Sequence, residues 1–428
     1  MDKLRLKQVL ISNQKEVERY RVIPRRMPDD AFACRIFVGV RRAGKSFMLF
    51  QKMQELLSSG FGWESMLYLN FEDDRLAEFS FHDFDLILES HAEMYGTRPR
   101  LFLDEIQIVP GWERFARRMA DAKHSVWITG SNAKMLSSEM MTTLGGRYLI
   151  AEVYPYNFKE YLHAQQVPHD HLSLLALESR TKVEQHWNEY LLWGGLPESI
   201  SLPVKRDYLS SVFQKIYLGD IAARSRLSSQ ATLRLLLKKM AEAVGRPIAY
   251  NRLAHLLSST GSKVTMPTVA KYIELGEAAW LLLRVRNVLA SFATRETHCK
   301  YYFIDNGVLN LYLLGGEAML LENMVALALL QRYGHDTDNE RVFFYHDKVE
   351  VDFYIPDDKL AIQVCYSMSR NPDTLRRGAG ALAKLPKVLP CERRLIITCE
   401  EQYTISDQWG SIEVIPAWQW LLEEDCRL

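Results

Sequence analysis

The sequence has no apolar run approaching the roughly 18 residues that a membrane-crossing helix needs; its richest stretch, AAWLLLRV, is broken by a charged residue, Arg284. Nor does it carry an excess of charge: Lys plus Arg and Asp plus Glu number 53 each. No whole-chain field therefore draws it to nucleic acid or to an acidic membrane, and any such binding must be local. It lacks a C-x-x-C pair. Its six cysteines, at 34, 299, 365, 391, 399 and 426, fit neither a zinc knuckle nor a disulfide framework and point to a reducing, cytoplasmic setting. The opening MDKLRLKQVLISNQKEVERY has charges throughout and no continuous apolar stretch, so no secretory signal is expected. His169-Asp170-His171 has metal-ligand residue types, but in polar surroundings without a second ligand group it reads as a solvated loop. What is present is bulk: 428 residues at 48% hydrophobic content support two or three packed cores.

Residues 33–38, ACRIFV, form a short apolar run that predicts a buried strand. The run leads into Gly39-Val40-Arg41-Arg42-Ala43-Gly44-Lys45-Ser46, a G-x-x-x-x-G-K-S pattern, and then from Phe47 into FMLFQKMQELLSS, whose apolar spacing is helical up to Gly60. Two glycines at this spacing let the backbone wrap closely, so that N–H groups of residues 39–47 and the helix N-terminus converge on phosphates. Lys45 would neutralise β- and γ-phosphate oxygens, and Ser46 would place its hydroxyl on Mg²⁺.

A second apolar strand, Leu101 to Leu103, ends in Asp104 and Glu105, the form of a Walker B element. Asp104 is the expected holder of Mg²⁺ or its water, and Glu105 the general base for an attacking water, a role that needs a carboxylate within hydrogen-bond reach. A third strand, SVWITGSN, ends in Ser131 and Asn132, either a polar sensor of the γ-phosphate, as additional-strand ATPases place one, or an ordinary turn. Arg147 closes MLSSEMMTTLGGR and stands equally as an arginine finger, for this or a neighbouring subunit, or as a surface arginine. The absence of an Asn-Lys-x-Asp element favours ATP over GTP.

With GVRRAGKS, YLNFEDDRL, LFLDEIQIVPGWE, ITGSNAKML, LGGRYL, LLWGGLPES, KYYFIDNGVLN, LENMVA, VEVDFYI and IPAWQWLL in view, nearly the whole chain resembles a prokaryotic family of AAA-type P-loop ATPases. Members of that family carry a C-terminal domain of unknown function that looks restriction-endonuclease-like. The resemblance implies ATP binding and hydrolysis, with Lys45, Ser46, Asp104, Glu105 and Asn132 at nucleotide-site positions; it supplies no physiological substrate.

The expected fold is α/β in five parts: an N-terminal helical segment (1–30), a P-loop AAA-type core of parallel sheet and helices (31–160), a helical lid (161–230), a winged helix (231–290) and a C-terminal α/β nuclease-like domain (291–428). In the fourth part, NRLAHLLSS, a turn, TMPTVAKYIELGEAA with Thr265 as N-cap, and WLLLRVR give helix, turn, helix and strand. Lys263, Lys271, Arg252, Arg284 and Arg286 would meet DNA phosphates there, but Glu274 and Glu277 interrupt any basic stripe, so a protein-contact role is the stronger expectation. In the fifth part, Glu322, Asp352 and Gln363 fall where a PD-(D/E)xK nuclease holds its metal, while Cys365 replaces the lysine that would orient water. An inactive domain is expected, with Cys365 in the core.

The functional expectation is an ATP-binding protein and Mg²⁺-dependent ATPase working as a nucleotide-driven switch, with a homo-oligomer conceivable and no membrane partner. The competing readings are an ATP-gated DNA nuclease and a non-hydrolysing nucleotide sensor or DNA-binding regulator.

Overall fold

Among the described residues the N-terminal part of the chain holds five parallel strands, β1 (Cys34–Val38), β2 (Met66–Asn70), β3 (Arg100–Asp104), β4 (Val126–Gly130) and β5 (Leu149–Glu152), the first four of them short apolar runs. Their order across the sheet is β2-β3-β4-β1-β5. The computed structural model describes residues 1–27, 34–130, 142–222, 230–259, 263–291, 297–334, 341–367 and 372–423. The chain divides into two units, Met1–Val153 and Tyr154–Leu428.

In the first unit β1 and β4 are buried along their whole length, as expected of parallel strands covered on both faces, where continuous apolar runs replace alternation. The covering helices are α1 (Lys3–Arg19), α2 (Lys45–Ser58), α3 (Phe84–Tyr95) and α4 (Trp112–Asp121). Phe84 of α3 stacks on Phe115 of α4 at 4.4 Å between ring centres, tying the two helices through aromatic burial. β4 lies between β1 and β3, the extra strand of an additional-strand arrangement. The registers Val38↔Gly130 and Asn70↔Asp104 align the strands' carboxyl ends, where ligands of open α/β sheets bind. β5 has no counterpart among the strands read from the sequence. Its four residues pair with Arg35–Val38 as an exposed or half-buried edge, so no buried apolar run announces it.

The second unit begins with helices α5 (Phe158–Ala164), α6 (Leu177–Trp193), α7 (Lys205–Lys215) and α8 (Gln230–Ala241). Then follow β6 (Ile248–Ala249), α9 (Tyr250–Ser258), α10 (Met266–Ala278), β7 (Leu282–Asn287), β8 (His298–Phe303), α11 (Asn306–Asn310) and α12 (Glu317–Tyr333). Thr265 caps α10 as expected, accepting the Thr268 N–H, with Pro267 in the first turn. The remaining elements are β9 (Phe343–His346), β10 (Glu350–Ile355), β11 (Leu360–Val364), α13 (Pro372–Lys384), β12 (Arg393–Thr398), β13 (Tyr403–Asp407), β14 (Gly410–Pro416) and α14 (Ala417–Glu423).

Among the described residues the nine strands of this unit form one sheet, β13-β14-β12-β11-β10-β9-β7-β8-β6. The boundary expected at 290/291 therefore runs through a sheet: Arg286 and Asn287 of β7 pair in parallel with Phe343 and Phe344 of β9, so neither strand is left as an open edge. Three sequence landmarks meet in one buried knot. Asp305 caps α11 through the N–H groups of Gly307 and Val308 and also accepts the N–H of Gly195 at 2.8 Å. Asn306 donates to the Leu191 and Leu320 carbonyls, and Asn323 bonds both backbone groups of Phe303. Gly194, at φ 71°, has no room for a side chain, since a Cβ would stand 2.1 Å from Asp305 Oδ2. LLWGGLPES, FIDNG and LENMVA are thus the polar joints of one core.

Candidate functional site

The loop from β1 to α2 is shaped by its glycines. At Gly39, φ is 151° and a Cβ would fall 2.1 Å from the Val153 carbonyl oxygen, so only glycine lets the chain following β5 press against it. Gly44, at φ 95°, caps α2 without a side-chain hydrogen bond, so no capping side chain neutralises the positive end of the helix dipole. Such a terminus is an anion site. Val40, Ala43 and Lys45 are buried, Arg41 pairs with Glu72 at 3.4 Å, and Arg42 adopts a positive φ of 66° within the turn. Phe47 packs edge-on to Tyr20 on α2's outer side. From outside the motif, Arg25 donates to the Ala43 carbonyl at 3.0 Å and bonds Gln51 of α2 through its backbone, bracing the loop.

Lys45 Nζ donates to the carbonyls of Gly39 (3.2 Å) and Val40 (3.0 Å) and stands 4.0 Å from Glu105 Oε1. Asp104, at the end of β3, is fully buried. It accepts hydrogen bonds from Tyr68 of β2 at 2.9 Å, from Thr129 of β4 and from Ser46 of α2. Burial pushes its carboxyl up to about 6, the neighbouring Glu105 adds to the rise, and the three hydroxyls oppose it. Thr129 serves both acids, because its oxygen accepts the Glu105 N–H at 2.9 Å while its hydroxyl donates to Asp104. Glu105 takes a left-handed backbone (φ 52°, ψ 37°), uncommon for a residue with a Cβ and a local strain held by this surround. The loop amides, the Lys45 ammonium and the Ser46–Asp104 pair fit the charges of a nucleoside triphosphate. Two adjoining oxygen donors in a buried, negatively biased place fit a hard divalent ion such as Mg²⁺.

The structure thus brings together Gly39, Gly44, Lys45, Ser46, Asp104 and Glu105. Tyr68 and Thr129 join them from strands whose motifs did not single them out. Ser131 and Asn132 lie outside the described residues. Arg147 is not brought to this site within the chain. It precedes β5, at the amino end of a strand parallel to β1, whereas the loop follows β1's carboxyl end; its guanidinium bonds Asp121 and the carbonyls of Leu144 and Gly145.

In the second unit Glu322, Asp352 and Gln363 also converge, around a group the sequence reading missed. Lys300 of β8, wholly buried, points its ammonium at Glu350 (2.9 Å), Asp352 (3.0 Å) and Glu322 (3.4 Å). Burial works against its charge, but the three carboxylates outweigh it and hold Lys300 well above the usual lysine range. Gln363 and the Val364 N–H donate to Asp352, and Tyr302 donates to Glu322. Burial, with Asp352 beside it, pushes Glu322 up to about 7. Among the described residues no group of three His, Cys, Asp or Glu is placed to hold a metal. Cys365 is buried in the core below. Among the basic residues expected to face DNA, Lys271 pairs with Glu274 and Arg284 with Glu277, both at 3.0 Å, and Arg286 is buried.

Residues 33–162 match a family described as an AAA domain, and residues 184–319 and 317–420 match two domains of unknown function, DUF8612 and DUF4143. The chain is 30% identical to the uncharacterized protein MJ1544 of Methanocaldococcus jannaschii, over 98% of this chain and 96% of that protein. It is also 30% identical to an uncharacterized protein of Haemophilus influenzae, over 91% and 94% respectively. Among solved structures it is similar to the Walker-type ATPase PABY2304 of Pyrococcus abyssi, with TM-score 0.39 and 14% identity over 73% of this chain and 95% of that one.

Proposed function

We propose, from the premise that the chain belongs to the family of these archaeal and bacterial full-length relatives and carries an AAA domain in its N-terminal unit, that this unit binds ATP with Mg²⁺ and hydrolyses it. The observation that carries the proposal is the meeting of Lys45, Ser46, Asp104 and Glu105 at the carboxyl end of one parallel sheet, beside an uncapped helix N-terminus. In it, N–H groups of residues 39–47 and Lys45 hold the β- and γ-phosphates. Ser46 and Asp104 would hold Mg²⁺, which would supply positive charge against the developing negative charge of the reaction. Glu105 aligns a water whose oxygen bonds to the γ-phosphorus as the bond to the β–γ bridging oxygen breaks. ADP leaves with that electron pair, and the water's proton passes through Glu105 to phosphate. Loss of the γ-phosphate removes part of the negative charge that the loop amides and Lys45 hold, a local change through which hydrolysis acts as a switch.

Phosphate release tests this. Lys45→Ala should abolish nucleotide binding or turnover, whereas Glu105→Gln should bind ATP and cleave it about 100-fold or more slowly. Wild-type turnover in both would remove the assigned roles.

For the second unit we propose that α8 to β8 form a winged helix used for contact with protein, and that α12 to β12 are a nuclease-like core that does not cut. The first is favoured by the glutamates that occupy Lys271 and Arg284. The second is favoured by Lys300, whose ammonium fills the centre of the acid group where a metal ion would sit.

A further inference from the structure

Gln107 lies two residues beyond the proposed base, in the short turn Ile106–Ile108 that the left-handed backbone of Glu105 starts. Because the chain reverses there, the Gln107 side chain folds back, and its amide Nε2 donates to Glu105 Oε2. Its other end is the informative one. Gln107 Oε1 is buried and has no hydrogen-bond partner among the described residues. A buried amide oxygen without a donor forfeits its hydration with nothing in return, so a fold that keeps one beside a strained glutamate requires a reason.

We propose that Gln107 is the residue that positions the attacking water: its N–H fixes the rotamer of Glu105, and Oε1 accepts one hydrogen bond from the water whose other proton Glu105 takes. A water must be held at two points for its lone pair to face phosphorus. A carboxylate alone fixes one O–H and leaves the molecule free to pivot about it, whereas an acceptor on the neighbouring turn fixes the second. Gln107 gives up no proton and forms no bond to phosphorus; it acts through Glu105 and the water, as a positioning residue. Glutamine suits this role because one planar group offers a donor to a carboxylate and an acceptor to a water, which a second carboxylate would not. This inference rests on the ATPase reading of the site.

The test compares the full-length wild type with Gln107→Leu, which keeps the bulk and removes both polar atoms, and Gln107→Asn, which keeps the amide one methylene short. The readouts are phosphate release, ATPγS affinity by calorimetry, and Tm. The expected result for Gln107→Leu is kcat lower by about 10- to 100-fold, with KM, ATPγS affinity and Tm close to wild type. Gln107→Asn should fall between the two. A merely structural role would lower affinity or Tm together with kcat, and that result would overturn the inference, as would an unchanged kcat in Gln107→Leu. A wild type that releases no phosphate would overturn the ATPase reading and this inference with it; turnover in the wild type with an unaffected Gln107→Leu would overturn the inference alone.

Discussion

Replacing Lys300 with methionine should loosen the C-terminal sheet far more than the loss of one side chain's packing would. The ammonium is fully buried and touches three carboxylates at 2.9, 3.0 and 3.4 Å. At an effective dielectric of about 20, each contact near 3 Å is worth roughly 5 kcal/mol before desolvation. Most of that sum is offset by the cost of bringing the charges out of water, so the pair network adds little net stability. Removing the cation alone is another matter, because Glu322, Asp352 and Glu350 remain without their counter-charge, and deleting one partner of a buried pair costs about 3–5 kcal/mol. At 1.4 kcal/mol per tenfold, opening of β10 and β11 should become about 100-fold or more frequent. Hydrogen exchange of peptides covering 350–364, expressed as protection factors, measures this in the intact chain without requiring two-state unfolding. The penalty should also shrink in acid: Glu322, already pushed up to about 7, takes up a proton more readily once the ammonium is gone. Protection within about 5-fold of wild type at neutral pH would refute the assignment of Lys300 as the charge centre of this core.

Tyr68→Phe deletes one of the hydroxyls that orient Asp104, and outer partners of this kind typically matter 10- to 100-fold; the Mg²⁺ concentration giving half-maximal phosphate release should rise by about that factor while maximal turnover stays near wild type. Asp305 reports on pH. Burial raises its carboxyl from the ordinary 3.8 to about 6 although four backbone N–H groups oppose the rise. The folded chain therefore holds this proton more tightly than the unfolded chain, so its contribution favours folding below about pH 4, is lost as pH climbs to about 6, and is flat above. The lost part amounts to about 3 kcal/mol. The difference in unfolding free energy between wild type and Asp305→Asn should change with pH inside that window and stay constant from pH 7 to 9; a difference independent of pH throughout would contradict the assignment.

The nucleotide loop was legible because its information is local: a buried strand, two glycines, a lysine and a helix follow one another without interruption, and the fold places them as the spacing requires. The acid pair was legible for the same reason. Thr129 and Tyr68 were not, because their part comes from strand register, β4 beside β3 and β2 beside β3, and nothing in WITG or YLN marks one hydroxyl as facing Asp104. β5 escaped notice because an exposed edge strand lacks a buried apolar pattern. Lys300 escaped because the nuclease pattern directs attention to the second residue after Gln363, where Cys365 stands, whereas the cation arrives from a strand on the far side of β9. Asp305, Asn306 and Asn323 were visible as parts of uncommon sequence stretches, but only the fold shows that they are one hydrogen-bonded joint.

Titration of the purified chain with ATPγS and Mg²⁺ in a calorimeter tests the central claim most directly. Saturable binding of one nucleotide per chain, removed by Lys45→Ala and retained by Glu105→Gln, is the expected result. No heat from the wild type, or equal binding by Lys45→Ala, would contradict it.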